Sequence, residues 1–135
     1  MIEVNVKHLG EVKFEIRARQ YKLFSDQPTE SGGHDEGMTP PEFFLAALGS
    51  CAAFYAAAYL KKKALPQAGL AVRVTVEKAG PPARLDNFHI DVEVPIALSE
   101  ADRAGLDQAV HHCLIHATLQ HPPAVHIELH APVAA

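Results

Sequence analysis

The sequence predicts an α+β domain in which antiparallel sheets pack around one long central helix, in the order βββ-α-ββ-α-β. Three observations carry this. Short stretches of alternating apolar and polar residues recur along the chain, the mark of half-buried strands. Residues 43–60, FFLAALGSCAAFYAAAYL, run without a formal charge and are too long for a strand. The first three strands are joined by links too short for crossovers, so their pairing has to be antiparallel.

Ile2, Val4 and Val6 alternate with Glu3, Asn5 and Lys7, and residues 8–11 form a turn. Val12, Phe14, Ile16 and Ala18 resume the alternation, and residues 21–24 make a third short strand. Residues 25–38, SDQPTESGGHDEGM, are polar and glycine-bearing, a loop that leads to the long helix. Thr39 is the expected N-cap, Pro40 sits where a missing N–H is harmless, and Glu42 completes a capping box. Lys61, Lys62 and Lys63 place positive charge at the other end, where the helix dipole favours it. The helix should therefore run about 22–25 residues; being apolar nearly all round, it should be buried on most sides. A membrane span is the competing reading of such a run. Its alanine content and the Gly49-Ser50-Cys51 interruption favour a core helix instead.

Past residues 66–69, Val72, Val74 and Val76 alternate with polar residues. After a Gly80-Pro81-Pro82 turn, so do Phe88, Ile90, Val92 and Val94, giving a hairpin with one dry face. Ser99 with Asp102 opens a second helix, whose apolar positions Leu106, Val110, Cys113 and Ala117 follow the helical period. Val125, Ile127 and Leu129 predict a last strand. The length suits one domain spanning residues 1–135. A net charge of −4 with mixed signs speaks against a nucleic-acid surface. The strand-like start leaves no signal segment, and two cysteines fit a reducing compartment, so the cytoplasm is the expected location.

Both cysteines fall on dry helical faces. Cys51 shares its face with Phe44, Leu48, Phe54, Tyr55 and Ala58. Such thiols are either small buried hydrophobes or a redox pair. As a pair, Cys51 would attack a peroxide and become a sulfenic acid, and Cys113 would condense with it to a disulfide that an external dithiol restores. An apolar wall of Phe44, Phe54, Tyr55 and Tyr59 would suit a substrate with a greasy tail. The histidines at 111, 112 and 116 invite a metal reading, since 112 and 116 are i, i+4. With no carboxylate or CxxC to complete a ligand set, no metal and no cofactor is expected.

The chain resembles the OsmC/Ohr family of thiol-dependent hydroperoxide reductases. The resemblance rests on Gly37-Met38-Thr39-Pro40-Pro41-Glu42, on Leu45-Ala46-Ala47-Leu48-Gly49-Ser50-Cys51, and on His112-Cys113-Leu114-Ile115-His116-Ala117-Thr118-Leu119. It implies an intertwined homodimer with central helices, active sites at the subunit interface, Cys51 as peroxidatic cysteine and Cys113 as resolving cysteine. It also implies an organic hydroperoxide as substrate and a dithiol reductant as partner; the charge and the core-helix reading above leave no nucleic-acid or membrane partner expected. Glu42 is matched to the glutamate that family peroxidases carry at the start of the helix. Their arginine has no counterpart in residues 7–13 or 25–38, which leaves Arg17 and Arg19 as the nearest candidates. A rival expectation is a non-catalytic protein of this fold that binds an apolar ligand at the dimer interface.

Overall fold

The computed structural model describes residues 1–135. The order is β1 (Asn5–Gly10), β2 (Lys13–Ala18), β3 (Tyr21–Ser25), α1 (Pro40–Lys62), β4 (Ala71–Ala79), β5 (Arg84–Glu93), α2 (Glu100–His111) and α3 (Leu114–Gln120). The mixed α+β class agrees with the sequence reading. The chain divides into two compact units, Met1–Ser50 with Val72–Val92, and Cys51–Ala71 with Glu93–Ala135.

In the first unit β1, β2 and β3 form an antiparallel sheet in that order. The register pairs Val6 with Ile16, His8 with Phe14, Phe14 with Ser25 and Ile16 with Leu23, so the apolar members share one face. β1, with a bulge between His8 and Gly10, runs three residues into the expected turn, which is made instead at Glu11 with φ 47°. β4 and β5 make the second sheet, with Val72, Val74, Val76, Phe88 and Ile90 on its half-buried side. Gly49 lets α1 pass close to β4: a Cβ there would stand 3.0 Å from Val74 Cγ2.

The loop after β3 is organised by one buried carboxylate. Asp26, 1% exposed, accepts backbone N–H bonds from Gln27 at 2.8 Å, Glu36 at 3.1 Å and His34 at 3.2 Å. Asp26 N–H donates to Met38 O and closes the loop at its base. Ion pairs from Lys13 to Glu36 and from His34 to Glu11 pin it to the β1–β2 turn.

α1 starts where the cap predicts, and half of the capping box forms. Glu42 Oε1 accepts the Thr39 N–H at 3.0 Å, but the Thr39 hydroxyl donates to the same carboxylate at 2.7 Å instead of capping the helix. The expected burial on most sides is not met within one chain. Leu48, Ala52, Ala56 and Leu60, four residues apart, form a single buried stripe, while Phe44 is 40% and Phe54 67% exposed. By length and composition alone α1 would also pass as a membrane span.

In the second unit Ser99 caps α2 by accepting the Asp102 N–H at 3.1 Å. The Asp102 carboxylate accepts the Tyr59 hydroxyl at 3.0 Å, and a Cβ at Gly105 would press into the Tyr59 ring, so α1 and α2 pass closely there. The single second helix predicted from Leu106 to Ala117 is broken. His112 ends α2, Cys113 turns extended at ψ 128°, and α3 begins at Leu114. The break is stabilised by Cys113 itself, whose sulfur accepts the His116 N–H at 3.5 Å as an N-cap. The expected last strand is absent. Residues 121–135 form no helix or strand, and Val125, Ile127 and Leu129 are almost fully exposed. Alternation marks which residues would share a face, but a strand also needs a partner edge, and none in this chain takes up these groups. The observed order is therefore βββ-α-ββ-α-α.

Candidate active site

Cys51 lies within α1 and is half-buried; Cys113, at the restart of the chain into α3, is 1% exposed; both are free thiols. Each thiol acts on the other's protonation: Cys113 lowers the Cys51 pKa, and Cys51 raises that of Cys113. The helix break sets the place of Cys113: an uninterrupted helix would have left residue 113 without the extended turn that makes it a cap.

The electrostatics of the two sulfurs are opposed. Burial works to raise the Cys51 pKa, but the Cys113 thiol and the backbone N–H groups of Ile115 and Leu114 all favour its thiolate, and the net shift is downward. Burial likewise raises Cys113, and donating to Cys51 raises it further, outweighing the N–H groups of His116 and Ile115. The more exposed sulfur is thus the better nucleophile, and the enclosed one keeps its proton. None of the groups acting on Cys51 is a cation. Sequence reasoning did not find the Leu114 and Ile115 amides, because cysteine is not among the usual N-cap residues and gives no sign that a helix begins after it.

The other predicted residues keep different company. Glu42 is held by the Thr39 hydroxyl and then by the Thr39 N–H, which together lower its pKa against a smaller desolvation effect. Phe44 packs against Phe88 with ring centroids 6.1 Å apart, and Phe54 meets Tyr55 edge-on at 5.3 Å. Tyr59, expected in the apolar wall, instead ties α1 to Asp102. Burial raises the Tyr59 pKa, and the Asp102 bond and charge add to the effect. Arg17 forms a two-point pair with Glu15 at 3.0 and 3.1 Å, and Arg19 lies 4.8 Å over the Tyr21 ring. It is the His116 backbone N–H that touches Cys113; the His116 ring stands 5.7 Å from that of His111.

The first unit also holds a dry cavity of about 480 Å³, lined mainly by Val6, Phe14, Ile16, Pro40, Phe43 and Phe44. A second recess of about 380 Å³ includes Glu42, Leu45, Gly49, Ser50 and Val74. Neither was legible from periodicity, since each draws on several elements.

Residues 33–128 match the family described as OsmC-like protein. Among solved structures, the chain is similar to a protein from Psychrobacter arcticus provisionally named for osmotic stress induction and the detoxification response. That match has 19% identity and a TM-score of 0.78, covering 87% of this chain and 88% of that one. An OsmC-like protein from Mycoplasma pneumoniae is 20% identical at a TM-score of 0.71, covering 89% and 87%. An organic hydroperoxide resistance protein OsmC from Legionella pneumophila is 15% identical at a TM-score of 0.59, covering 89% of each chain. No protein with a curated description matches the sequence significantly.

Proposed function

Because the chain belongs to the OsmC-like protein family, we propose that it reduces organic hydroperoxides through a Cys51–Cys113 dithiol. Membership supports a peroxide-related redox role at the level of the family; the finer reading rests on one observation, the opposed pKa shifts of the two thiols, with Cys113 favouring the Cys51 thiolate. A thiolate with a buried thiol beside it is arranged for attack followed by resolution. Cys51 takes the outer oxygen of the peroxide and becomes a sulfenic acid, and an alcohol leaves. Cys113 then displaces water from that sulfur to form the disulfide, and an external dithiol returns both residues to thiols. The cytoplasm would keep such a pair reduced.

The working unit in this reading is a homodimer. Only one stripe of α1 is buried in the single chain, and Phe44, Phe54 and Leu114 are left open. A second copy is the simplest cover for so much apolar helix surface. Phe44, Phe54 and Tyr55 would then line the place where the tail of a greasy hydroperoxide lies. Consumption of cumene hydroperoxide with a dithiol reductant tests the reading. The parent should turn over and Cys51→Ser should not; equal rates would end it.

A second reading is favoured by the 480 Å³ cavity, whose walls are almost wholly apolar. On that account the protein binds an apolar ligand and the cysteines only pack. Retention of a fatty acid by the Cys51→Ser variant, with no peroxide consumption by the parent, would favour it.

A further inference from the structure

We propose that α3 is a redox-controlled cover over Cys113. The sulfur of that residue caps the helix, and drawing it into a disulfide releases α3 and opens the sulfur to the external dithiol. The proposal rests on the hydroperoxide reading above. In the last step of that mechanism a dithiol has to reach a sulfur of the disulfide, and exchange favours the attack that expels the more acidic thiol. Cys51, with its lowered pKa, is that leaving group, and Cys113, with its raised one, is the sulfur to be attacked. Yet Cys113 is 1% exposed in the thiol form.

The construction of α3 supplies the opening. It has seven residues, whereas an isolated helix is marginal in water below roughly 12–15, so it depends on its ends and on packing. None of its residues is buried, and Leu114 is 62% exposed, so packing contributes little. The side-chain cap at its start is the Cys113 sulfur, which accepts the His116 N–H at 3.5 Å, long enough that a small displacement breaks it. Both cysteines are free thiols, so an S–S bond of about 2.05 Å requires sulfur to move. Cys51 sits within α1, where the helix fixes its backbone, while Cys113 lies at a break between helices. The movement therefore falls chiefly on Cys113, and α3 loses its cap. The dithiol, as thiolate, then forms an S–S bond with the exposed Cys113 sulfur; the bond to Cys51 breaks and its electron pair leaves on Cys51. The second thiolate of the dithiol attacks its own linked sulfur and expels Cys113, which takes a proton. The reductant has given two electrons and two protons to the protein, and the freed sulfur caps α3 again.

Hydrogen exchange of the α3 amides, read by mass spectrometry on a peptide spanning residues 113–121, tests the cover. The reduced parent is compared with the parent oxidised by cumene hydroperoxide, its disulfide checked by intact mass. α3 should exchange roughly 5-fold faster in the disulfide form, the change a lost N-cap of ordinary strength gives, with α2 unaltered. Among reduced proteins, Cys113→Ala should show the fast rate and Cys113→Ser, whose hydroxyl is a good cap, the slow one; exchange in α2 checks that each variant folds. Treating the oxidised parent with 2-mercaptoethanol and trapping with N-ethylmaleimide locates the attacked sulfur, and the adduct should lie on Cys113. Equal α3 exchange in the reduced and disulfide forms, or an adduct confined to Cys51, overturns the cover and leaves the peroxidase reading standing. A parent that consumes no peroxide and forms no disulfide overturns both.

Discussion

Replacing Gly105 with alanine sets two contributions against each other, and the structure decides their sign. Inside a helix the exchange ordinarily stabilises by about 0.8–1.0 kcal/mol. Here the new Cβ would lie 2.7 Å from Cε2 and Cζ of Tyr59, closer than carbon atoms approach. The ring has little freedom to yield, because its hydroxyl is held by Asp102 at 3.0 Å and Lys63 lies 6.0 Å over its face. Overpacking of this kind costs roughly 1–3 kcal/mol, so the clash outweighs the helix gain. The net loss should reach up to about 2 kcal/mol, or a fall in Tm of up to roughly 8 °C for a chain of this size. The displacement should reach the site as well. α2 leads directly into the turn that holds Cys113, so moving it off α1 should weaken the lowering effect of Cys113 on the Cys51 pKa and raise the Cys51 alkylation midpoint. Thermal unfolding by circular dichroism reads the first effect and iodoacetamide labelling against pH the second. In a Tyr59→Leu background, which removes the ring, alanine at 105 should regain its ordinary helix benefit. A higher Tm for Gly105→Ala in the parent background would refute the close passage of α1 and α2 on which this reasoning stands.

Three further outcomes are expected. Leu60→Ala empties a fully buried position and should cost about 2–5 kcal/mol in denaturant unfolding; a loss under ~1 kcal/mol would contradict its burial. For Asp26, burial favours the neutral acid, but N–H bonds from Gln27, Glu36 and His34 outweigh it and lower the pKa. Its stabilisation is therefore complete above the ordinary carboxyl value and lost as pH falls through the folded one. Parent and Asp26→Asn should accordingly differ in stability at pH 6, and the gap should begin to narrow only below about pH 4 and keep closing as pH falls further; a gap in urea midpoints that stays constant over that fall would count against the loop anchor. Phe54→Asp exchanges a residue that is 67% exposed in the single chain, a change a monomer tolerates to within about 0.5 kcal/mol. If a second copy covers α1, sedimentation will show the variant shifting from dimer to monomer; an unchanged parent-like profile would remove Phe54 from the interface.

How much the sequence disclosed differs from element to element. α1 was legible to within a residue or two, because its cap, its uncharged run and its lysine stop all concern neighbours in the chain. The three-stranded meander was equally plain, since period-two patterning and short links leave one arrangement. The break at residues 112–113 was hidden: Leu106, Val110, Cys113 and Ala117 keep helical spacing through it, and only the backbone shows that Cys113 is a cap. The last strand failed for the opposite reason. The alternation at 125–129 is real, but pairing depends on an edge that lies outside local sequence.

For the site, the two cysteines could be named from their dry faces and from the resemblance, yet the sequence could not say what stabilises the reactive one. A search for a cation led to Arg17 and Arg19, which Glu15 and Tyr21 engage. The groups that lower the Cys51 pKa are a thiol and two amides, and amides carry no mark in the sequence. Tyr59 is a similar case: a helical wheel places it among apolar residues, while its hydroxyl partner comes from Asp102, 43 positions further on.

The measurement closest to the central claim is intact-mass and peptide analysis of the protein after one equivalent of cumene hydroperoxide. The account predicts a loss of two hydrogens and a single linked peptide joining Cys51 to Cys113. Cys51 carried on to sulfinic acid beside an unmodified Cys113, or both thiols left untouched, would contradict it.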